Sequence, residues 1–507
     1  MSPSENNKRI AKNTLMLYFR MLLMMGVSLY TVRIVLNTLG SVDYGIYNVV
    51  GGLVIMFAFL SNTMAAASQR FFAFELGRNN YDQLKKTFSI TMTIYVMIAV
   101  AILILAETVG LWFLNTKMTI PPDRMEGANW IYQFSILSFM MTMFTVPYNA
   151  AIIAHERMNV YAWVSIIEVI LKLLIVYFLL VFSFDKLKLY AILTFVVTTL
   201  ITLIYRTYTK KKFEECRYVF YWDKTLFKEI VTFSGWNLFG AIAGAFNGQG
   251  INIILNIFFG PIVNTARAIA FQVNGTINQF IQNFMMATHP QITKYYSAGE
   301  QEQMIKLVFQ SSKFSFLLLL ILTMPVLLET NYILGIWLNE IPEYVVIFTQ
   351  LTIIAALIDS LSNPLMSVAQ ATGKIKKYTS VVGGIMLLNF PICYLFLKSG
   401  YSPQIVFILG IINSSLCLFA RLLLVKGMVN LSIKSYIKSV ILPLLFTALV
   451  AYIIPFLLAN ELTGGIIRFL IVGFIGLIAG TTSTYFFGLS KNEKKYLIEI
   501  LKSKMLI

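Results

Sequence analysis

Seven basic side chains fall inside long apolar stretches of this sequence: Arg20, Arg33, Lys172, Arg267, Lys313, Arg421 and Arg468. An ionisable group in hydrocarbon is unfavourable by several kcal/mol unless it is paired or hydrated, so each must face a partner or a water-filled cavity. For arginine one chemistry stands out, because its planar fork grips phosphate oxygens bidentately and stays protonated. Arg20, Arg267 and Arg70, which stands at the end of its apolar run, are the candidates for holding a diphosphate. Amides share their faces. At 100° per residue Asn264, Arg267, Phe271, Asn274, Asn278 and Gln282 fall within a stripe of about 80° on one helix, and such a face cannot point at lipid. Asn48, Gly52, Phe59, Asn62 and Arg70 form a second stripe, and Asn13, Arg20 and Thr31 a third, with Arg33 turned about 140° away. Amides so placed suit sugar hydroxyls. They equally suit hydrogen bonds that glue helices together, and cations near span ends can snorkel.

Carboxylates inside the apolar runs are fewer. Glu168 and Lys172 have the four-residue spacing of a helical ion pair, acid first. Asp359 has no basic neighbour at that spacing, which makes it the better candidate for binding Na⁺ or H⁺, with Glu168 the second. Glu107 and Glu329 stand at helix ends. His155, His289 and the three cysteines show no metal-ligand spacing and no disulfide framework, so no metal and no other cofactor is expected.

The elements that position these groups must be membrane helices. The chain is 58% hydrophobic and 12% charged, where soluble domains carry about a quarter charged residues. Apolar runs of about 20 residues recur from end to end, the length a helix needs to cross the hydrocarbon core. They are too long and too continuous for barrel strands. About fourteen spans are expected, near 13–38, 44–67, 88–114, 129–154, 160–183 and 189–207 in the first half. The second half continues near 234–258, 262–287, 307–328, 344–368, 378–397, 404–424, 438–459 and 465–487. The polar start MSPSENNKRIAKN leads to a long apolar run, so the first helix is expected to be retained rather than cleaved.

Lys and Arg concentrate in cytosolic loops. With a cytosolic N-terminus, that side holds 28 of the 40 basic residues and the other side only Lys117, Arg124, Lys186, Lys188 and Lys398. Both termini are therefore expected in the cytosol. The net charge of +17 then needs no nucleic-acid partner, since basic loops against an anionic leaflet explain it.

The halves repeat at an offset of roughly 220 residues. Gly77, Phe88, Glu107-Thr108 and Gly110 to Asn115 are echoed by Gly299, Phe309, Glu329-Thr330 and Gly335 to Asn339. Leu36-Asn37 before Gly40 recurs as Leu255-Asn256 before Gly260, and Pro147 with Tyr161 as Pro364 with Tyr378. Six spans per half is an even number, which predicts two parallel lobes, 1–208 and 233–428, joined by a basic linker at 209–232 and followed by a last helix pair and tail at 429–507. A central cleft and alternating access are the expected consequence.

The segments LNTLGSVDYGIYNVVGG (36–52), QRFFAFELG (69–77), AIIAHERMNVYAWVSIIEV (151–169) and ATHPQITKYYSAG (287–299) resemble the prokaryotic polysaccharide transporters, or Wzx-type flippases, of the superfamily that also holds MATE exporters and the lipid II flippase. The resemblance runs over nearly the whole chain. It implies a MATE-like all-α fold of two six-helix lobes plus two helices, in a bacterial cytoplasmic membrane. It also implies flipping of an undecaprenyl-pyrophosphate-linked oligosaccharide, such as an O-antigen or other polysaccharide unit, with membrane lipids and a polysaccharide polymerase as partners. A MATE-like exporter of small organic molecules shares the fold, but two extra spans and a cationic interior oppose it. A polymerase or ligase is the third class, opposed by short outer segments without an acid/base pair.

Overall fold

The computed structural model describes residues 3–494 apart from 79, 156, 339 and 492, and every regular element among them is helical. The first half runs α1 (Pro3–Ile55), α2 (Ala58–Gly77), α3 (Tyr81–Leu105), α4 (Leu111–Lys117), α5 (Met125–Ala154), α6 (Met158–Val181) and α7 (Lys186–Lys212). The second half runs α8 (Lys224–Ala245), α9 (Ile251–Phe259), α10 (Pro261–Ser297), α11 (Gln301–Leu328), α12 (Thr330–Trp337), α13 (Val345–Thr372), α14 (Ile375–Lys398) and α15 (Ile405–Val429). A short α16 (Ile433–Tyr436), α17 (Leu442–Glu461) and α18 (Ile466–Ser483) complete it.

Polar caps set several starts. Asp185 accepts from Leu187 N and Lys188 N ahead of α7, and Asp223 from Thr225 N and Leu226 N ahead of α8.

Twelve helices among the described residues are long and apolar enough to cross a membrane, against about fourteen expected. The difference lies at two places. The expected spans near 13–38 and 44–67 are two helices that meet within α1 at Gly40, where the backbone is not helical, so the stretch registers as a single span, and α2 follows after a short turn. The expected span near 262–287 is fully helical as α10, but its amide stripe dilutes its apolar character.

The repeat is visible in the backbone. Gly40 (φ 77, ψ 170) and Gly260 (φ 75, ψ −174) adopt the same conformation, 220 positions apart. The run α3–α4, interrupted by a π turn at Ala106–Gly110, ends at Lys117, and α11–α12, interrupted at Glu329, ends at Trp337. The central helices α5 and α13 each carry one internal proline, Pro147 and Pro364.

The chain packs as two compact units, Met1–Ala268 and Ile269–Ile507. This division falls inside α10 rather than in the basic segment 209–232, because α8 packs on α2 and α3, and α9 packs on α1. In the first unit α5 lies against α7, α2 and α1, around a core that includes Tyr95, Tyr132, Phe72 and Phe88. In the second, α13 lies between α11 and α15, and α17–α18 close on α11.

Attachment of that last helix pair has a clear basis. Gly473, Gly476 and Gly480 of α18 lie against Pro325, Met324 and Ile321 of α11, the small-residue contact that lets membrane helices approach closely. Two ion pairs staple the ends: Arg468 Nε to Glu329 Oε1 at 2.7 Å, and Lys313 Nζ to Glu493 Oε2 at 2.5 Å. Lys313 and Glu493 are both nearly inaccessible, and Glu493 also accepts from the Ser490 amide and hydroxyl.

Candidate functional site

In the first unit the two amide stripes converge on a buried polar seam. Gly45 and Gly52 make it possible. A side chain at Gly45 would collide with the Pro261 carbonyl, and one at Gly52 with the Gln249 amide, so α1 can approach α9 and the start of α10 only through glycine. Asn264 is fully buried and donates to Asn252 O (2.7 Å) and Asn252 Oδ1 (2.8 Å), while its own Oδ1 accepts from Asn256 (3.0 Å). Asn252 donates to Gln249 Oε1 (3.3 Å), Asn256 also donates to Thr119 O (3.3 Å), and Thr119 N returns a bond to Asn256 (3.0 Å). Asn48 donates to Tyr44 O within its own helix (2.7 Å). Both donor positions and the acceptor of Asn264 are thus spent within the protein, which is the helix-gluing alternative rather than a sugar-binding amide.

Arg267 follows the same logic in part. A π turn at Phe246–Gly250 frees carbonyls from the helical ladder, and Arg267 Nη2 donates to one of them, Gly248 O, at 2.7 Å. The side chain is 5% exposed. The π turn in the α3–α4 run is handled similarly, with Tyr132 Oη donating to Ala106 O at 2.7 Å and filling the space beside Gly110.

Further along α10 the stripe opens. Phe271 and Gln282 are exposed, Asn274 and Asn278 half-buried, and Asn278 donates to Asn274 Oδ1 at 2.7 Å in an amide ladder. This is the part of the stripe with surface to offer a ligand. Arg20 lies in α1 and Asn62 and Arg70 in α2, but their side chains lie outside the described ones.

Glu168 pairs with Lys172 at 2.6 Å across one helical turn, the structural ion pair its spacing announced. Lys172 also lines a cavity of about 340 Å³ inside the first unit, shared with Tyr44, Tyr47 and Tyr190. Asp359 of α13 remains solvent-accessible and bonds to the hydroxyl of Ser414. The cation its own helix lacks comes from α15: Arg421 is within electrostatic reach and is itself held by Tyr378 Oη at 3.1 Å.

Two clusters have no local sequence signal. Arg124 donates to Asp43 Oδ1 (2.7 Å) and Asp185 Oδ2 (3.0 Å), tying α1, α5 and α7 together at one end of the first unit. Burial acts to raise the Asp185 carboxyl, but hydrogen bonds from the Lys188 amide and the Arg124 guanidinium outweigh it and hold the group below the ordinary carboxylate range. At the opposite end of α5, His155 Nε2 lies 2.7 Å from Glu215 Oε1 and its ring stacks on Phe213 at 3.9 Å. Burial works upward on Glu215 too, and the bond to His155 brings it net below its usual value. Burial pushes the neighbouring Cys216 thiol up.

Twelve long apolar helices among the described residues, with matched glycine joints at Gly40 and Gly260, define a multi-span helical membrane protein. The MatE family matches over residues 246–395. Among solved structures, the lipid II flippase MurJ in an inward closed conformation is similar with a TM-score of 0.68 at 12% identity, over 94% of this chain and 98% of that one. An inward-facing multidrug resistance MATE family transporter of the MOP superfamily is similar with a TM-score of 0.61 at 13% identity, over 81% of this chain and 94% of that one. A MOP superfamily transporter from Pyrococcus furiosus gives 0.54 at 13%, over 83% and 96%. At these identities the likeness is one of fold. No curated protein matches the sequence.

Proposed function

We propose that this protein is a flippase that carries an undecaprenyl-pyrophosphate-linked oligosaccharide, an O-antigen or other polysaccharide unit, across the bacterial cytoplasmic membrane by alternating access. One observation carries the choice within the MATE-type fold. The likeness to the lipid II flippase runs over 94% of the chain, whereas the multidrug transporter accounts for 81%. In this reading the lobes 1–208 and 233–428 rock against each other, and both termini are cytosolic. Arg20, Arg70 and Arg267 receive the diphosphate, which supplies the anion that buried arginines favour. Asn274, Asn278, Gln282 and Asn62 of α2 hydrogen-bond the sugar, while Asn48 and Asn264 brace the helices. Asp359 binds the coupling cation, Glu168 being held by Lys172. The protein is a carrier and not an enzyme; polysaccharide polymerase machinery acts on what it delivers.

The test is surface glycan in a flippase-null strain, with membrane abundance checked for each variant. Arg267→Lys keeps the charge and a donor for Gly248 but loses the fork. It should accumulate normally and fail to restore glycan. Full glycan from well-expressed Arg20→Ala and Arg267→Ala proteins would remove both residues from the substrate site.

The MatE match at 246–395 favours a second reading, an exporter of small organic molecules. Resistance conferred on a drug-sensitive host, without glycan rescue, would select it.

A further inference from the structure

Lysines at the ends of membrane spans are ordinary and define no site by themselves. The segment between α13 and α14 differs because it is concave. Gly373, at φ 69, turns the chain sharply after α13, and α14 begins at once with no side chain capping its first amides. Lys374, Lys376 and Lys377 follow, all exposed, and form one wall of a cavity of about 640 Å³. The facing wall comes from α15 and is apolar: Leu423, Leu424 and Met428. Gly427 keeps the groove open between them, since a β-carbon there would meet nothing within 4 Å. One turn deeper, the bond between Arg421 and Tyr378 ties α15 to α14 at 3.1 Å, so the two walls are held in register.

A cationic rim over an aliphatic trough fits a molecule with the same division. We infer that this groove binds one anionic phospholipid, its phosphate on Lys374, Lys376 and Lys377 and the head of an acyl chain along Leu423, Leu424 and Met428. Basic pockets between helices at the cytosolic face suit such headgroups, and the volume lies in the range of small-molecule sites. The leaflet rests on the topology proposed above; the binding itself does not.

Binding is read by native mass spectrometry and thermal unfolding of the full chain in neutral detergent. Dioleoylphosphatidylglycerol should bind and raise the melting temperature, and dioleoylphosphatidylcholine should not. Replacing all three lysines by Gln should weaken phosphatidylglycerol binding at least tenfold, and replacing them by Arg should preserve it. Gly427→Leu, which fills the trough without touching a charge, should weaken it as well. Gln at Lys210, Lys211 and Lys212 should leave it unchanged. Undiminished binding by the Gln triple or by Gly427→Leu overturns the inference. So does equal stabilisation by inorganic phosphate, which would make the groove a free-anion site. Reporter fusions that reverse the topology would move the lipid to the other leaflet and leave these affinities as they are.

Discussion

Asn264, Arg267 and Asn278 share one helix stripe and meet three different fates. Asn264 is saturated by Asn252 and Asn256 in a buried seam, so Asn264→Ala takes a buried partner from each of their amides and should cost roughly 1–3 kcal/mol in thermal unfolding. Asn278→Ala gives up a half-buried ladder bond and should change stability by only about 1 kcal/mol while lowering glycan output. A glycan assay that ranks Asn264→Ala as stable and inactive, and Asn278→Ala as unstable, would reverse the division of labour along the stripe. Away from it, Glu215 makes a pH prediction. Its folded-state pKa is depressed, so the stability it contributes is fully present above the unfolded value of about 4.3 and is lost as pH falls through the lower, folded value. The melting-temperature gap between wild type and Glu215→Gln should therefore close as pH falls below about 4. A gap that persists well below that pH would show that the carboxylate is not what stabilises.

At the scale of elements, α18 is joined to α11 by glycine packing and by a charge pair at each end. Lys313 and Glu493 are both out of solvent, and removing one partner of such a pair strands the other; Glu493→Ala should cost about 3–5 kcal/mol. Replacing both, with Lys313→Met and Glu493→Leu, should recover most of that loss, because the desolvation cost goes with the pair. Proteolysis between α15 and α17 reads it out: the single variant should be cut faster and the double variant should resist. Equal sensitivity of both would indicate that the glycines, not the charges, hold the pair. The repeat explains why Glu329 is available. Its counterpart Glu107 accepts from Gln133 at 3.1 Å in the first half, whereas Glu329 takes the arginine of α18.

Across the whole molecule, the Lys/Arg asymmetry predicts that reporters fused at Lys212 and at Lys398 give cytosolic and periplasmic signals respectively; the reverse would sink the proposed direction of transport. Helix content and the duplication were legible in the sequence because each depends on local composition or on a repeated pattern; of the seven cations in apolar runs, Arg267 and Lys313 are buried while Lys172 is exposed. Partnerships were legible only at helical spacing, as for Glu168 and Lys172. Arg124 finds its carboxylates 81 and 61 positions away, Arg468 finds Glu329 at 139, and Lys313 finds Glu493 at 180. No periodicity reaches that far. The amide stripe of α10 was legible as polar, yet whether an amide turns to a neighbouring helix or to open space depends on glycines such as Gly45 and Gly52, which belong to another helix.

Gly40 and Gly260 carry a consequence in terms of handedness. Both sit near φ 75 with ψ close to 180°, a region that L residues avoid at about 1–3 kcal/mol and that is the mirror image of the ordinary polyproline conformation. No atom crowds a β-carbon at Gly40, so the objection to alanine there is chirality alone. A D-alanine introduced at position 40 by semisynthesis should be as stable as glycine, where L-alanine is not: the duplicated chain repeats, at Gly40 and Gly260, a joint at which the backbone is, in effect, of the opposite hand.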